Sequence, residues 1–171
     1  MGRKRGRGRF DVPLHHREVL HRRGVTVIRR GILIIEDNMT DGLVIKRTLS
    51  KYLTDDITIV RDGMQAINAL SEKLKSRPSK EDVVIPRLIT LDLNMPKMNG
   101  FELLDRLREH EDTKSIPIIV LTSSQIPDEI SRAYQMGVNN YVVKPTDHEK
   151  FEQTIEQIYH YWFEFSRIPE D

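Results

Sequence analysis

Residues 88–100 read Leu-Ile-Thr-Leu-Asp-Leu-Asn-Met-Pro-Lys-Met-Asn-Gly. A short run rich in Leu and Ile stops at an aspartate, a turn-forming stretch follows, and Asn99-Gly100 then opens a helical pattern with Leu103, Leu104 and Leu107 on one face. Leu88 to Leu91 therefore reads as a strand buried on both faces, the form that strands take in a parallel sheet covered by helices. Its terminal carboxylate is then informative, because ligands of open α/β sheets bind at the carboxyl ends of strands.

Moving outward, the same unit recurs. Strands are expected at Ile32 to Ile35, Ile57 to Val60, Ile118 to Leu121 and Tyr141 to Val143, each followed by helical spacing. Asp41 is placed to cap a first helix carrying Val44, Ile45, Leu49 and Leu53, and Asp62-Gly63 turns into a second with Ala66, Ile67, Leu70 and Leu74. Pro127 precedes a fourth that ends at Gly137. Thr146-Asp147-His148-Glu149 has the form of a capping box before a fifth with Phe151, Ile155, Ile158, Tyr159 and Trp162. Strict alternation predicts an α/β fold, a flavodoxin-like (βα)5 doubly wound parallel sheet of five strands in the order 2-1-3-4-5. Ser76 to Arg87, with its charges and two prolines, reads as a surface loop.

The chain has 171 residues, enough for one domain with a full core, and no cysteine, so a disulfide framework is excluded. No apolar run reaches the roughly 20 residues of a membrane helix, and no secretory leader pattern is present, so a cytoplasmic location is expected. The net charge of +1 conceals an asymmetry: residues 1–30 hold ten Lys/Arg against Asp11 and Glu18, and the remainder is acidic. The expected organisation is a disordered basic extension over 1–30, one domain over 31–162 and a tail over 163–171.

Polar residues end four of the strands: Glu36-Asp37, Asp92, Thr122-Ser123 and Lys144-Pro145. Three carboxylates gathered at one edge repel one another unless a cation sits among them, and an all-oxygen ligand set selects a hard ion such as Mg2+. A lysine and a hydroxyl nearby supply what an incoming phosphoryl group requires, a balancing charge and a hydrogen-bond donor. A carboxylate can accept phosphorus as an acyl phosphate, so the residues point to phosphotransfer onto Asp92. Taken singly, each has a plainer use: Glu36-Asp37 or Thr122 as helix caps, Asp92 as turn chemistry, Lys144 as a solvated charge.

Ile-Leu-Ile-Ile-Glu-Asp-Asn at 32–38, the 88–100 stretch, Ile-Val-Leu-Thr-Ser-Ser at 119–124 and Tyr-Val-Val-Lys-Pro at 141–145 together resemble the receiver domains of two-component response regulators. The resemblance implies that Asp92 is the phosphoacceptor, with Thr122 and Lys144 contacting the phosphoryl group. It implies Mg2+ or Mn2+ held by Asp37, Asp92, the backbone carbonyl of Asn94 and, through water, Glu36. It further implies a cis Lys144-Pro145 peptide, a Thr122–Tyr141 switch, and Asn94 and Ser124 as positions that tune acyl-phosphate lifetime. The long loop before the third strand and the Tyr-Trp-Phe ending are similar to stand-alone regulators that serve phytochrome kinases.

The expected function is thus a non-enzymatic relay without an output domain, phosphorylated by a sensor histidine kinase and signalling through a changed surface. A homodimer through the fourth helix, fifth strand, fifth helix and the aromatics Tyr159, Tyr161, Trp162, Phe163 and Phe165 is a further expectation. Two rivals stand beside it. An aspartyl-phosphate phosphatase wants a second Asp two residues after the first, where Asn94 stands. Nucleic-acid binding through Arg3, Lys4, Arg5, Arg7 and Arg9 would rest on charge alone, and a disordered extension or a misassigned start accounts for the same residues. His15, His16 and His21 lack a convincing ligand spacing.

Overall fold

The computed structural model describes residues 18–22, 25–54, 56–75 and 82–166. In chain order the elements are β1 (Glu18–Arg22), β2 (Val25–Arg29), β3 (Ile32–Ile35), α1 (Met39–Leu49), β4 (Ile57–Val60), α2 (Gly63–Lys75), β5 (Asp82–Ile85) and β6 (Leu88–Leu91). They continue with α3 (Gly100–Glu109), β7 (Ile118–Thr122), α4 (Pro127–Gln135), β8 (Asn140–Val143), α5 (His148–Tyr159) and a π-helical turn, His160–Phe165.

The central sheet is parallel with order β4-β3-β6-β7-β8, the flavodoxin-like arrangement. Successive side chains on a strand point to opposite faces, and this alternation builds two cores. Leu33, Ile35, Ile89, Leu91, Ile118 and Val120 face α2, α3 and α4 through Ala66, Leu70, Leu103, Leu104, Leu107 and Ala133. Ile32, Ile34, Leu88, Ile119 and Leu121 face α1 and α5 through Val44, Ile45, Leu49, Phe151, Ile155 and Ile158. With both faces covered, apolar side chains are required on each, which is why the strands read as near-continuous apolar runs.

Two helix starts differ from the sequence pattern. Asn38, not Asp41, caps α1: its side chain accepts from the N–H groups of Thr40 and Asp41, so the helix begins earlier and leaves Asp41 free for another partner. Asp147, not Thr146, caps α5 by accepting from the Lys150 N–H. Asn99 and Glu102 form the reciprocal capping box of α3.

The largest departure lies before β3 and before β6. Residues 18–22 and 25–29, expected within a disordered extension, form an antiparallel hairpin, and β2 pairs in parallel with β5, inside the segment expected to be a loop. The β2–β5 and β3–β6 ladders share one register, Arg29 opposite Ile85 and Ile32 opposite Leu88. The break between them falls where Pro86 has no N–H to donate and Gly31 adopts φ +76°. Backbone bonds from Arg30 N–H to Ile85 O (2.8 Å) and from Arg87 N–H to Gly31 O (2.9 Å) carry the connection across. A boundary drawn at residue 30 thus cuts through a continuous pair of strands. Residues 1–17 and 167–171 lie outside the described residues, and with them the arginine-rich arm, His15, His16 and most of the expected tail. At the other end, the helical backbone runs through the expected boundary at 162 to Phe165.

Arg29 is buried and donates to the Ser115 hydroxyl at 3.1 Å, tying β2 to the turn before β7. The Arg87 guanidinium lies 4.8 Å from the centre of the Phe163 ring, which joins the β5–β6 junction to the π-helical turn.

Candidate functional site

Doubly wound sheets open a crevice where the chain reverses its direction of winding. Here that place is the carboxyl edge between β3 and β6. β3 delivers Glu36 and Asp37, β6 delivers Asp92, β7 ends in Thr122, and β8 ends just before Lys144. Parallel pairing across β3, β6, β7 and β8 brings all five residues to one rim.

Glu36 and Asp92 are buried, at 2% and 6% exposure, while Asp37 is exposed. One carboxylate oxygen from each of the three lies within 4.8 Å of the others, the single such acidic group among the described residues. Lys144 sits over them, its ammonium 2.6 Å from Glu36 Oε2, 2.8 Å from Asp92 Oδ2 and 3.1 Å from Asp41 Oδ2. Three carboxylates thus contact one ammonium, and Asp37 adds a fourth acidic group beside Glu36 and Asp92. The donor set is all oxygen, which suits a hard divalent cation and gives a nitrogen- or sulfur-preferring metal nothing.

Burial pushes the Glu36 carboxyl up to about 7, against the pull of the Lys144 ammonium. Burial works against the charge of Lys144 as well, but its hydrogen bonds to Asp92 and Glu36 outweigh that and hold it above the ordinary lysine value.

The loop after β6 wraps the Asp92 carboxylate. The Asn94 N–H donates to Asp92 Oδ1 at 3.1 Å, and the Asn94 amide reaches Thr122 Oγ1 at 3.5 Å. Thr122 is fully buried and also accepts from the Ser124 N–H at 3.4 Å. The Ser124 hydroxyl donates to Glu129, and the half-buried Tyr141 donates its hydroxyl to the Ser124 carbonyl at 3.2 Å. Hydrogen bonds through Ser124 thus link Thr122 and Tyr141, the expected switch pair. Gly100 lets this loop close: a Cβ there would stand 2.6 Å from Leu93 Cα and 2.8 Å from the Asp92 carbonyl oxygen.

The expected cis Lys144–Pro145 peptide is corrected by the structure, in which it is trans. The trans form is the lower in energy by roughly 0.5–1 kcal/mol for X–Pro, and Lys144 reaches its carboxylates without the cis geometry. Two functional neighbours were not singled out from sequence. Asp41, in the first turn of α1, serves Lys144 rather than the helix end. Lys97, at φ +68°, holds Asp62 at 3.2 Å and pins the loop after Asp92 to the start of α2.

A family model for the response regulator receiver domain matches residues 32–156. The response regulator Rcp1 of Synechocystis is 32% identical over 139 residues, covering 81% of this chain and 92% of its own. A probable methanogenesis regulatory protein, FilR2, of Methanothrix harundinacea is 35% identical, covering 81% and 86%. Among solved structures, the phosphorylated cyanobacterial phytochrome response regulator RcpA superposes with a TM-score of 0.73 at 31% identity, covering 82% of this chain and 99% of its own. The Mn2+-bound form of Rcp1 gives 0.70 at 32% identity, with 82% and 99% covered. Motifs, strand order and the acidic rim agree with these matches, and the chain belongs to the response regulator receiver domain family of two-component signalling.

Proposed function

We propose that Asp92 accepts a phosphoryl group from the phosphohistidine of a sensor kinase, and that the chain signals through the surface this changes. The observation that carries the proposal is Lys144 holding Asp92 and Glu36 at once, beside Asp37. An Asp92 carboxylate oxygen attacks phosphorus; the O–P bond forms as the N–P bond of phosphohistidine breaks, and the leaving imidazole keeps the bonding pair and is protonated. Glu36, Asp37, Asp92 and the backbone carbonyl of Asn94 would hold Mg2+ or Mn2+, which when bound offsets the charge of the phosphoryl oxygens.

Lys144 begins on Asp92 and Glu36 and moves its charge onto a phosphoryl oxygen as the Asp92 carboxylate becomes an acyl phosphate. The Thr122 hydroxyl turns to donate to a second oxygen and gives up its bonds from Asn94 and Ser124. Since Tyr141 is tethered to the Ser124 carbonyl, movement of that loop is passed to β8 and α4. Asn94 and Ser124 border the phosphoryl position and govern water access to it.

The kinase is proposed to be of the phytochrome class, supported by the similarity to RcpA and to a bacteriophytochrome response regulator, RtBRR, at 33% identity and a TM-score of 0.58. A homodimer is proposed through α4, β8, α5 and the turn after it, where Ile126, Tyr134, Tyr161 and Phe165 are exposed. Catalysis is confined to the chain's own phosphorylation and dephosphorylation. A cytoplasmic location belongs to the same proposal; among the described residues no helix is long and apolar enough to cross a membrane.

The test is incubation with Mg2+ and acetyl phosphate, scored by a gel that retards phosphoprotein. Wild type is retarded and Asp92→Asn is not; equal retardation of both would remove Asp92 from the role.

A further inference from the structure

At the edge of the central sheet opposite Asp92, where β3 and β4 begin, a cavity of about 620 Å³ opens between the ends of α1 and α2 and the strand β5. Among the described residues, Arg30, Lys46 and Lys73 line it with the hydroxyls of Ser50 and Thr54 and the carboxylate of Asp56. Among the described residues none of the three cations has an ion-pair or side-chain hydrogen-bond partner, Asp56 included. This contrasts with the rest of the surface nearby, where Arg47 and Lys51 are both committed to Glu152 or Glu156 on α5.

Three unpaired cations around one hollow repel one another, and an occupant carrying several negative charges relieves that repulsion. The donor types suit phosphate: a guanidinium fork takes two oxygens of one phosphoryl group, ammonium groups act as point charges, and hydroxyls donate to the remaining oxygens. The volume falls in the range of roughly 300–1,000 Å³ typical of small-molecule sites. Among the described residues no aromatic ring lines the cavity to stack on a nucleobase, and recognition rests on charge. Val84 lies in β5, which pairs with β2, and Arg30 directly follows β2 with its N–H bonded to the Ile85 carbonyl, so the β2–β5 pairing helps to bound the hollow.

We propose that this cavity binds a phosphate chain, either pyrophosphate or the polyphosphate tail of a nucleotide, at a site separate from the phosphoacceptor.

The experiment is calorimetric titration of the full chain carrying Asp92→Asn, in buffer free of divalent cations, with pyrophosphate in one arm and ATP in another. Saturable one-to-one binding of pyrophosphate is expected, with ATP no more than about tenfold tighter, since the base gains no stacking contact. Lys46→Gln with Lys73→Gln weakens binding by about tenfold or more while leaving the urea midpoint in place, because neither side chain is buried. Arg30→Gln alone moves affinity in the same direction and serves if the double variant does not fold. Absence of saturable pyrophosphate binding, affinity unchanged in these variants, or ATP binding without pyrophosphate binding would each overturn the proposal. The phosphoacceptor assignment is untouched by any of these results, since Asp92 is already replaced.

Discussion

The Lys144 ammonium stands 2.6 Å from Glu36 and 2.8 Å from Asp92, so one cation bridges the two carboxylates that the sheet edge buries. Removing one member of a buried charge cluster leaves the others uncompensated, which is far costlier than losing an exposed pair.

Lys144→Met is therefore expected to lower unfolding stability by about 3 kcal/mol in buffer free of divalent cations. Saturating Mg2+ should restore part of the loss, because it supplies positive charge to the same oxygens. Urea unfolding with and without Mg2+ decides the matter; an identical loss in both would mean that the cation does not share Lys144's partners. Phosphorylation by acetyl phosphate should fall in the same variant.

Gly100→Ala should cost about 1–3 kcal/mol, since the added methyl meets backbone on both Leu93 and the residue before it rather than a yielding side-chain tip. Gly42→Ala makes a useful contrast: its Cβ would meet side-chain atoms alone, Ile59 Cγ2 at 3.3 Å and, at ordinary contact distance, Glu36 Cγ at 3.6 Å. Phosphorylation yield should drop for the first and hold for the second, because only Gly100 sits against the loop that carries Asp92. Thermal unfolding and the phosphoprotein gel measure the two effects.

Arg29→Ala, and truncation to begin at residue 31, should both destabilise the chain. The guanidinium is buried against Ser115, and loss of a charged hydrogen-bonding group from such a position costs about 1.5–3 kcal/mol. If residues before 31 were an idle extension, truncation would leave the urea midpoint unchanged.

Asp62 caps α2 through the Gln65 N–H and holds Lys97, and these contacts, the backbone bond first, keep its carboxyl below the ordinary aspartate value. A carboxylate depressed in the folded state contributes stability above its unfolded pKa and loses it as pH falls through the folded one. Asp62→Asn should accordingly be less stable than wild type near neutral pH, with the gap closing as the medium is acidified below the ordinary aspartate range. Unfolding curves across that range check the sign; a gap that widens in acid would refute it.

Much of the central fold was legible because burial on both faces leaves a local trace. The first three central strands match their expected limits, β7 and β8 each gain one residue, and the site residues stand at strand ends where an apolar run is interrupted by charge. Less legible were contacts between distant segments. Val25 to Ile28 and Val83 to Ile85 are each β-branched enough for a strand, yet their pairing depends on a register shared with β3 and β6. Asp41 looked like a cap because capping is a local property, whereas its bond to Lys144 joins residues 103 apart in sequence.

By itself the sequence determined the alternation of strands and helices, the edge to which Glu36, Asp37, Asp92, Thr122 and Lys144 are sent, and the chemistry those groups can perform. Periodicity and residue type are carried by neighbours along the chain, so they can be read there. Tertiary structure alone decided that residues 25–29 join the β5 strand, that Lys144 is shared among three carboxylates, and that three cations without a partner among the described residues line a hollow at the far edge. Those are outcomes of through-space packing, in which Coulomb forces and hydrogen bonds act between groups that only the folded sheet brings within reach.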